Sequence, residues 1–321
     1  MMYDETKLSV KRASRAAFEY ESVIECAIPI QSAKEVTMKT VRILALSVLA
    51  AALIALSAYC QKAEDPGTKE PARTEILGER APLTLGERFH AETCLTSSGA
   101  PADRAGARPA MPDRFKTYPG ARVVKLPRPD YRGLSVEDAV NRRHSTRRYT
   151  PGPITLSQLS QLLFSAQGIT GSRGEQSTRT APSAGALYPY EVYAVATRVK
   201  DLPQGLYHYA VREHALELVK GGDFHEEISR AGFSQESLGD AAAVIVLTAV
   251  FDRARSKYGE RGFRYVYMEA GHIAQNLCLE VVSLGLGSVT VGAFMDGEVN
   301  RLIGIDGAGE AAIYLHPVGA I

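Results

Sequence analysis

Residues Arg142-Arg143-His144-Ser145-Thr146-Arg147-Arg148 set four guanidiniums and two hydroxyls in one short stretch. Such a set suits an anion: arginine offers paired N–H donors to a phosphate, and serine adds a neutral one. A phosphate monoester, carrying close to two negative charges, would balance it. The plainer alternative is a solvated basic helix end that complements the helix dipole. A second stretch, Ala181-Pro182-Ser183-Ala184-Gly185-Ala186-Leu187-Tyr188-Pro189, joins small side chains to two prolines directly before an apolar run. Small residues allow backbone to approach a flat ligand closely; an ordinary tight loop is the alternative. The cysteines, Cys26, Cys60, Cys94 and Cys278, form no CxxC pair and no zinc-spaced cluster with histidine. Neither a disulfide framework nor a metal site is expected.

The elements that must position these stretches are legible from about Leu126 to Ile321, roughly enough chain for one sizeable core. Ser135 caps a helix through Arg142, with acids in its first turn. Thr155 caps a second, whose Leu156, Leu159, Leu162, Leu163 and Ala166 recur at helical spacing until Gly168 and Gly171. Tyr190–Thr197 reads as a strand, Gly205–Val211 and Ala215–Lys220 as a hairpin, and Ala241–Phe251 as a buried strand. A long helix runs from Arg264 to Leu284 with Val266, Ala270, Ile273, Ala274, Leu277 and Val281 in one stripe. Ser288–Phe294 is a strand, Asp296 caps a helix through Leu302, and Ala311–Val318 closes the chain. The class is α+β: a mixed or antiparallel central sheet flanked by helices.

The first third is different. Ile43–Ala58 is almost wholly apolar, with Lys39 and Arg42 before it and small residues after it, the pattern of a secretory signal. The run is short beside the roughly 20 apolar residues of a membrane span. Met38 stands where such a signal would begin, so residues 1–37 are an overrun ahead of the true start or a disordered prefix. A cytoplasmic prefix followed by a membrane anchor is the alternative. Residues 38–60 are the signal, and Leu56-Ser57-Ala58-Tyr59-Cys60 resembles a lipoprotein box; Tyr59 departs from the small residue wanted there, so lipidation of Cys60 and simple cleavage both stand open. Residues 61–118, rich in Pro, Gly, Ala, Glu and Arg, read as a disordered tether with a short ordered stretch near Leu83–His90. The expected address is exported, periplasmic or membrane-anchored. A net charge of +1 gives no overall field toward nucleic acid or anionic membrane.

Arg143-His144-Ser145-Thr146-Arg147 resembles the opening FMN motif of the nitroreductase superfamily. Arg179–Pro189 (RTAPSAGALYP) is similar to the second flavin loop of its SagB-type dehydrogenase branch. Tyr258–Gly262, Arg264-Tyr265 and Glu269–Leu277 resemble that branch's signature helix, and Gly285-Leu286-Gly287-Ser288 to Gly292 its last flavin-facing strand. The motifs occur in the family's order across about Leu134–Ile321. The resemblance implies the nitroreductase-like fold and a homodimer with FMN at the subunit interface. Arg143, His144 and Ser145 would then hold the phosphate end, Arg147 would lie near the pyrimidine, Pro182, Ser183, Ala184 and Gly185 would pass along the ring, and the backbone of Gly292 and Ala293 would face N5. Lys257-Tyr258 matches a proton-handling pair of azoline-oxidising members; an exposed helix lead-in is the alternative. His272 reads as a packing histidine, Cys278 as a small buried apolar residue, and Glu269 as a partner for a neighbouring loop.

Two departures bear on the substrate. Gly185-Ala186 replace a polar residue of classical members, and no basic tail follows Gly319-Ala320-Ile321, so nitroaromatic specificity is not expected. Three activities follow: an FMN oxidoreductase serving a small organic acceptor, with NAD(P)H as a candidate donor; an azoline dehydrogenase maturing a ribosomal peptide; or a flavin-binding module without turnover.

Overall fold

The computed structural model describes residues 83–97, 99, 107–174 and 176–321. The prefix 1–37, the signal 38–60, Cys60 and the first part of the tether lie outside the described residues. The elements, in chain order, are α1 (Leu85–Glu92), β1 (Val123–Lys125), α2 (Val136–Arg142), β2 (Ile154–Thr155), α3 (Leu156–Gln167), β3 (Ile169–Arg173), β4 (Gln176–Arg179), β5 (Tyr190–Ala196), β6 (Val199–Lys200), β7 (Gly205–Ala210), β8 (Ala215–Gly221), α4 (His225–Ala231), α5 (Glu236–Gly239), β9 (Ala243–Val250), α6 (Phe251–Tyr258), α7 (Gly262–Ser283), β10 (Leu286–Ser288), α8 (Asp296–Ile303) and β11 (Glu310–Ala320).

Seven strands form one sheet in the order β1-β8-β7-β5-β9-β11-β10. Every pairing in it is antiparallel. The central strands β5 and β9 are apolar at nearly every position because both faces of the sheet are covered. On one face α3 and α7 bury Leu159, Leu162, Leu163, Val266, Ile273 and Leu277 against Val192, Ala194 and Ile245. On the other, Ile228 of α4 and Val299 and Ile303 of α8 pack with Tyr193, Val195 and Val246. The architecture is α+β as read from the chain.

The local signals act as expected. The Ser135 hydroxyl accepts the Asp138 amide at 3.1 Å to start α2. Thr155 and Gln158 form a reciprocal capping box on α3. The stripe of α7 is buried as spaced. Two expectations are corrected. Pairing along Ser288–Phe294 breaks after Ser288 and returns only as a bridge at Val291. Ser288 faces Val318 and Val291 faces Leu315, so Val289 faces Pro317, which has no N–H to give the ladder. At α8 the cap position falls to Met295, and Asp296 lies inside the helix as its first residue.

In the tether, the short ordered stretch expected near Leu83–His90 is helix α1, while residues 113–118, expected to be disordered, are bound to the sheet. Thr84 and Glu87 cap each other to start α1, and Arg261 Nη1 donates to the Thr93 carbonyl at 2.6 Å. Arg264 bonds the Thr93 hydroxyl and the His90 carbonyl and covers the Phe89 ring. Residues 113–118 cross a polar patch on the sheet. There Glu191 accepts from Arg253 Nη2 at 2.5 Å, and His208 sits between Glu191 (3.0 Å) and Glu217 (2.8 Å). Lys116 Nζ meets Glu310 at 2.6 Å, and the Tyr118 hydroxyl meets that of Tyr193 at 3.0 Å. Composition hides this strap because its stabilising partners are buried charges distant in the chain, not an apolar period.

Burial alone would raise the Glu191 pKa; bonds from His208 and Arg253 outweigh it and hold the carboxyl at about 2. Both Arg253 and Glu191 are nearly inaccessible, with side chains 2% and 4% exposed. Arg253→Met should therefore lower the unfolding free energy by about 3–5 kcal/mol, the cost of stranding one buried partner. Because the folded carboxyl is depressed from its ordinary value near 4.5, its contribution is present above that pH and is lost as pH falls toward 2. Urea titrations from pH 7 to pH 3 check both statements: a loss below 1 kcal/mol at neutral pH would mean that the pair carries little.

Candidate active site

The loop from Ala181 to Pro189 precedes β5 and contains a single 3₁₀ turn at Ala184–Ala186. Gly185 (φ 63°), Ala186 (φ 53°) and Tyr188 (φ 46°) all occupy the left-handed region. Only the glycine does so without steric cost, so the other two store strain of order 1–3 kcal/mol each. Side chains hold this shape. Ser183 Oγ accepts the Tyr188 amide at 2.9 Å, the Tyr188 hydroxyl accepts the Arg179 amide at 3.2 Å, and Arg253 Nη1 donates to the Tyr188 carbonyl at 3.3 Å. Glu269 of α7 lies near Ser183. Burial pushes the Glu269 carboxyl up to about 7, against the lowering pull of Ser183 and Arg179.

The loop faces Lys257 and Tyr258, which end α6. A Cβ at Gly185 would stand 2.7 Å from the Tyr258 hydroxyl and 2.9 Å from Lys257 Nζ. Two candidates that lie more than 70 positions apart in sequence thus meet at one glycine. Lys257 is exposed and Tyr258 half-buried, the latter edge-on to Tyr265 of α7 at 4.8 Å between ring centroids. This end of α6 meets the loop, while Lys257 itself is exposed, as the alternative of an exposed helix lead-in expects.

The arginine stretch begins at the end of α2, where Arg143 takes the C-cap, and then runs extended beside β10 and β11. The Thr146 amide donates to the Ser288 carbonyl at 2.8 Å, and the Thr150 amide to the Ala320 carbonyl at 2.8 Å. Gly287 and Gly319 allow this approach: a Cβ there would stand 2.8 Å from Thr146 Cγ2 and 2.4 Å from the Tyr149 ring. Arg143 is half-buried; His144, Ser145 and Arg147 are exposed. No hydrogen bond or ion pair engages the side chains of Arg143, Ser145 or Arg147 among the described residues, whereas Arg142 and Arg148 pair with Asp138 and Glu236. The His144 ring turns back to the Arg142 carbonyl at 2.9 Å.

Helix α7 links the two groups. Glu269 reaches the loop, and Cys278, whose thiol burial pushes up while Arg143 pulls it down, lies beside the arginine stretch. Nine residues separate them, about 13–14 Å along the axis. The geometry suits a ligand with a flat end under a small-residue loop and an anionic end among free guanidiniums. Gly292 and Ala293 are exposed on the chain after β10, in contact with the Tyr314 ring and, through the Ala293 carbonyl, with Gln235. Their contacts run to neither Arg143 nor Gly185. His272 is exposed on α7 and so is not the packing residue expected. Glu269 lies near the loop, but its Oε1 is buried without a hydrogen-bond partner among the described residues. Arg179, Tyr188 and Arg253 were not singled out individually, since their roles rest on a loop conformation that residue type does not reveal.

The profile of the nitroreductase family matches residues 140–320. A nitroreductase-family protein of Methanocaldococcus jannaschii is 39% identical over 197 residues, covering 61% of this chain and 96% of that one. The chain belongs to the nitroreductase family, a family of oxidoreductases. The microcin B17-processing protein of Escherichia coli is 32% identical over 133 residues, 40% of this chain and 49% of its own, so the match spans about half of that relative. Among solved structures, a nitroreductase-family protein from Anabaena variabilis aligns with a TM-score of 0.59 at 28% identity, covering 75% of this chain and 49% of that one. Another from Ralstonia eutropha aligns at 0.54 and 26%, covering 66% and 96%.

The contact at Gly185 is directly testable. Gly185→Ala adds a methyl where φ is positive and where Tyr258 and Lys257 leave no room. It should destabilise the protein by about 1 kcal/mol or more and shift the Tyr258 fluorescence or ring NMR signals. Unchanged stability and signals would place the pair away from the loop.

Proposed function

We propose that this chain is an FMN-dependent oxidoreductase that passes hydride or electrons from a donor, NAD(P)H being one candidate, to a small organic acceptor. The observation that carries the reading is the meeting of the strained loop with Lys257 and Tyr258 at Gly185, braced by the helix that also reaches Arg143. The residues present fit flavin mononucleotide. Arg143, His144 and Ser145 offer donors to a phosphate end and Arg147 a positive charge toward the pyrimidine. By the resemblance, Pro182, Ser183, Ala184 and Gly185 would pass along the ring as a wall without bulk, and the exposed backbone of Gly292 and Ala293 would face N5. When bound, the flavin supplies the hydride chemistry. The chain's part is to hold it, to place a cation near its pyrimidine, and to present Lys257 and Tyr258 as proton-handling groups beside the substrate space.

That placement favours a second reading, oxidation of a peptide-borne azoline, in which loss of hydride must be matched by loss of a proton to a positioned base. The likeness to the microcin B17-processing protein supports it. We also propose a homodimer, because Val136, Val140, Tyr267 and Met268 leave large apolar side chains exposed on α2 and α7. Export of the chain by residues 38–60, with Cys60 as a candidate lipid anchor, remains part of the proposal.

Arg143→Ala should weaken FMN binding to the apo-protein by about 2 kcal/mol, since a charge-assisted hydrogen bond contributes roughly 1.5–3; an unchanged dissociation constant in a flavin titration would return the stretch to a solvated helix end. In stopped-flow absorbance, Lys257→Ala and Tyr258→Phe should leave flavin bound and its reduction by an outside hydride donor nearly unchanged. If the pair handles protons, the half-reaction with an azoline substrate should slow by about 10²–10⁴. No effect in either half leaves a plain electron carrier, and a bound flavin that no donor reduces leaves a binding module.

A further inference from the structure

A cavity of about 540 Å³ opens beside the base of the Ala181–Pro189 loop, between the strap and β4. Arg114, Arg179 and Arg212 line it, with Asp113 as the one acid, a lining charge of three minus one, or +2. None of the three arginines forms an ion pair with a carboxylate among the described residues. Two are oriented by rings. The Arg212 guanidinium stacks 4.1 Å above Phe115, and that of Arg179 lies 4.6 Å from the Tyr188 centroid and 5.2 Å from Phe115. Stacking spends the faces of a guanidinium and leaves its N–H edges for ligands.

Arg179 supplies the independent observation. It is only 7% exposed, and its Nη1 and Nη2 donate to Gln167 at 2.8 Å and to the Arg114 carbonyl at 3.4 Å. Its Nε–H is buried and has no partner. A guanidinium held at a cavity wall with no carboxylate paired to it keeps its charge for an anion that arrives from outside. The volume lies within the range of small-molecule sites and far exceeds a single inorganic ion. Phe115 and Tyr188 add apolar wall.

We infer that this cavity binds a small organic acid, a planar body bearing one or two carboxylates, as a site separate from the arginine stretch at Arg143. The carboxylate is received by Arg114 and Arg212 at the mouth, with the positive charge of Arg179 behind them, and the organic body lies against Phe115. Occupancy would bear on the loop directly, because Arg179 and Tyr188 belong to both.

The test is isothermal titration of the full chain with phthalate, benzamide and inorganic phosphate. Phthalate is expected to bind saturably, benzamide not at all, and phosphate at least tenfold more weakly than phthalate. Arg212→Ala and Arg114→Ala should each weaken phthalate at least tenfold, Arg212→Glu should abolish binding, and Arg143→Ala should leave it unchanged. Arg212 is exposed, so its variants test the site without touching the core. Absence of phthalate binding, phthalate binding indifferent to both mouth arginines, binding lost in Arg143→Ala, or phosphate binding as tightly as phthalate would each overturn the assignment.

Discussion

Arg253 donates in three directions at once: to the Asp113 carbonyl in the strap at 2.7 Å, to the Tyr188 carbonyl in the loop at 3.3 Å, and to Glu191 in the central strand at 2.5 Å. A guanidinium can do this because its donors are fixed in one plane, and burial makes each bond hard to give up. Everything placed around the candidate site refers back to this residue. It seats α6, whose end carries Lys257 and Tyr258; it fixes the carbonyl of a strained residue; and it fastens the segment that completes the sheet's polar patch.

The strain at Ala186 and Tyr188 is sustained because neighbouring bonds over-determine the backbone. Ser183, Tyr188 and Arg179 form a chain of hydrogen bonds that holds the loop, and Glu269 of α7 lies near it. A loop held in this way does not relax when a ligand leaves, so binding pays little to order it. The same helix carries Cys278 beside Arg143, which makes the spacing between the two ends of the site a property of a rigid rod and not of a loop.

Much of this fold was legible beforehand where periodicity and caps speak: Ser135 and Thr155 announce α2 and α3, and the stripe of Val266 to Val281 announces α7. The strands β5 and β9 declare themselves by runs that are apolar at nearly every position. What was hidden has specific causes. Helix α6 has no apolar stripe, burying Phe251, Arg253 and Ala254. The strap is fixed by partners such as Glu310, 194 positions away from Lys116. The break in the final ladder depends on Pro317 facing Val289, which only the register reveals. Of the candidate site, the two stretches and the Lys-Tyr pair were visible as residue types; that they converge at Gly185 was not, because left-handed backbone at Ala186 and Tyr188 runs against the preference of those residues.

Helix α1 is fastened to the neighbourhood of the candidate site. Its last turn is gripped by Arg261 and Arg264, and Arg261 Nε donates to the Tyr265 hydroxyl at 2.9 Å, next to the Tyr258 ring. The aromatic ring that faces Gly185 therefore rests on a tyrosine bonded to the arginine whose other hand holds α1, so a disturbance of α1 would reach Tyr258 through two side chains.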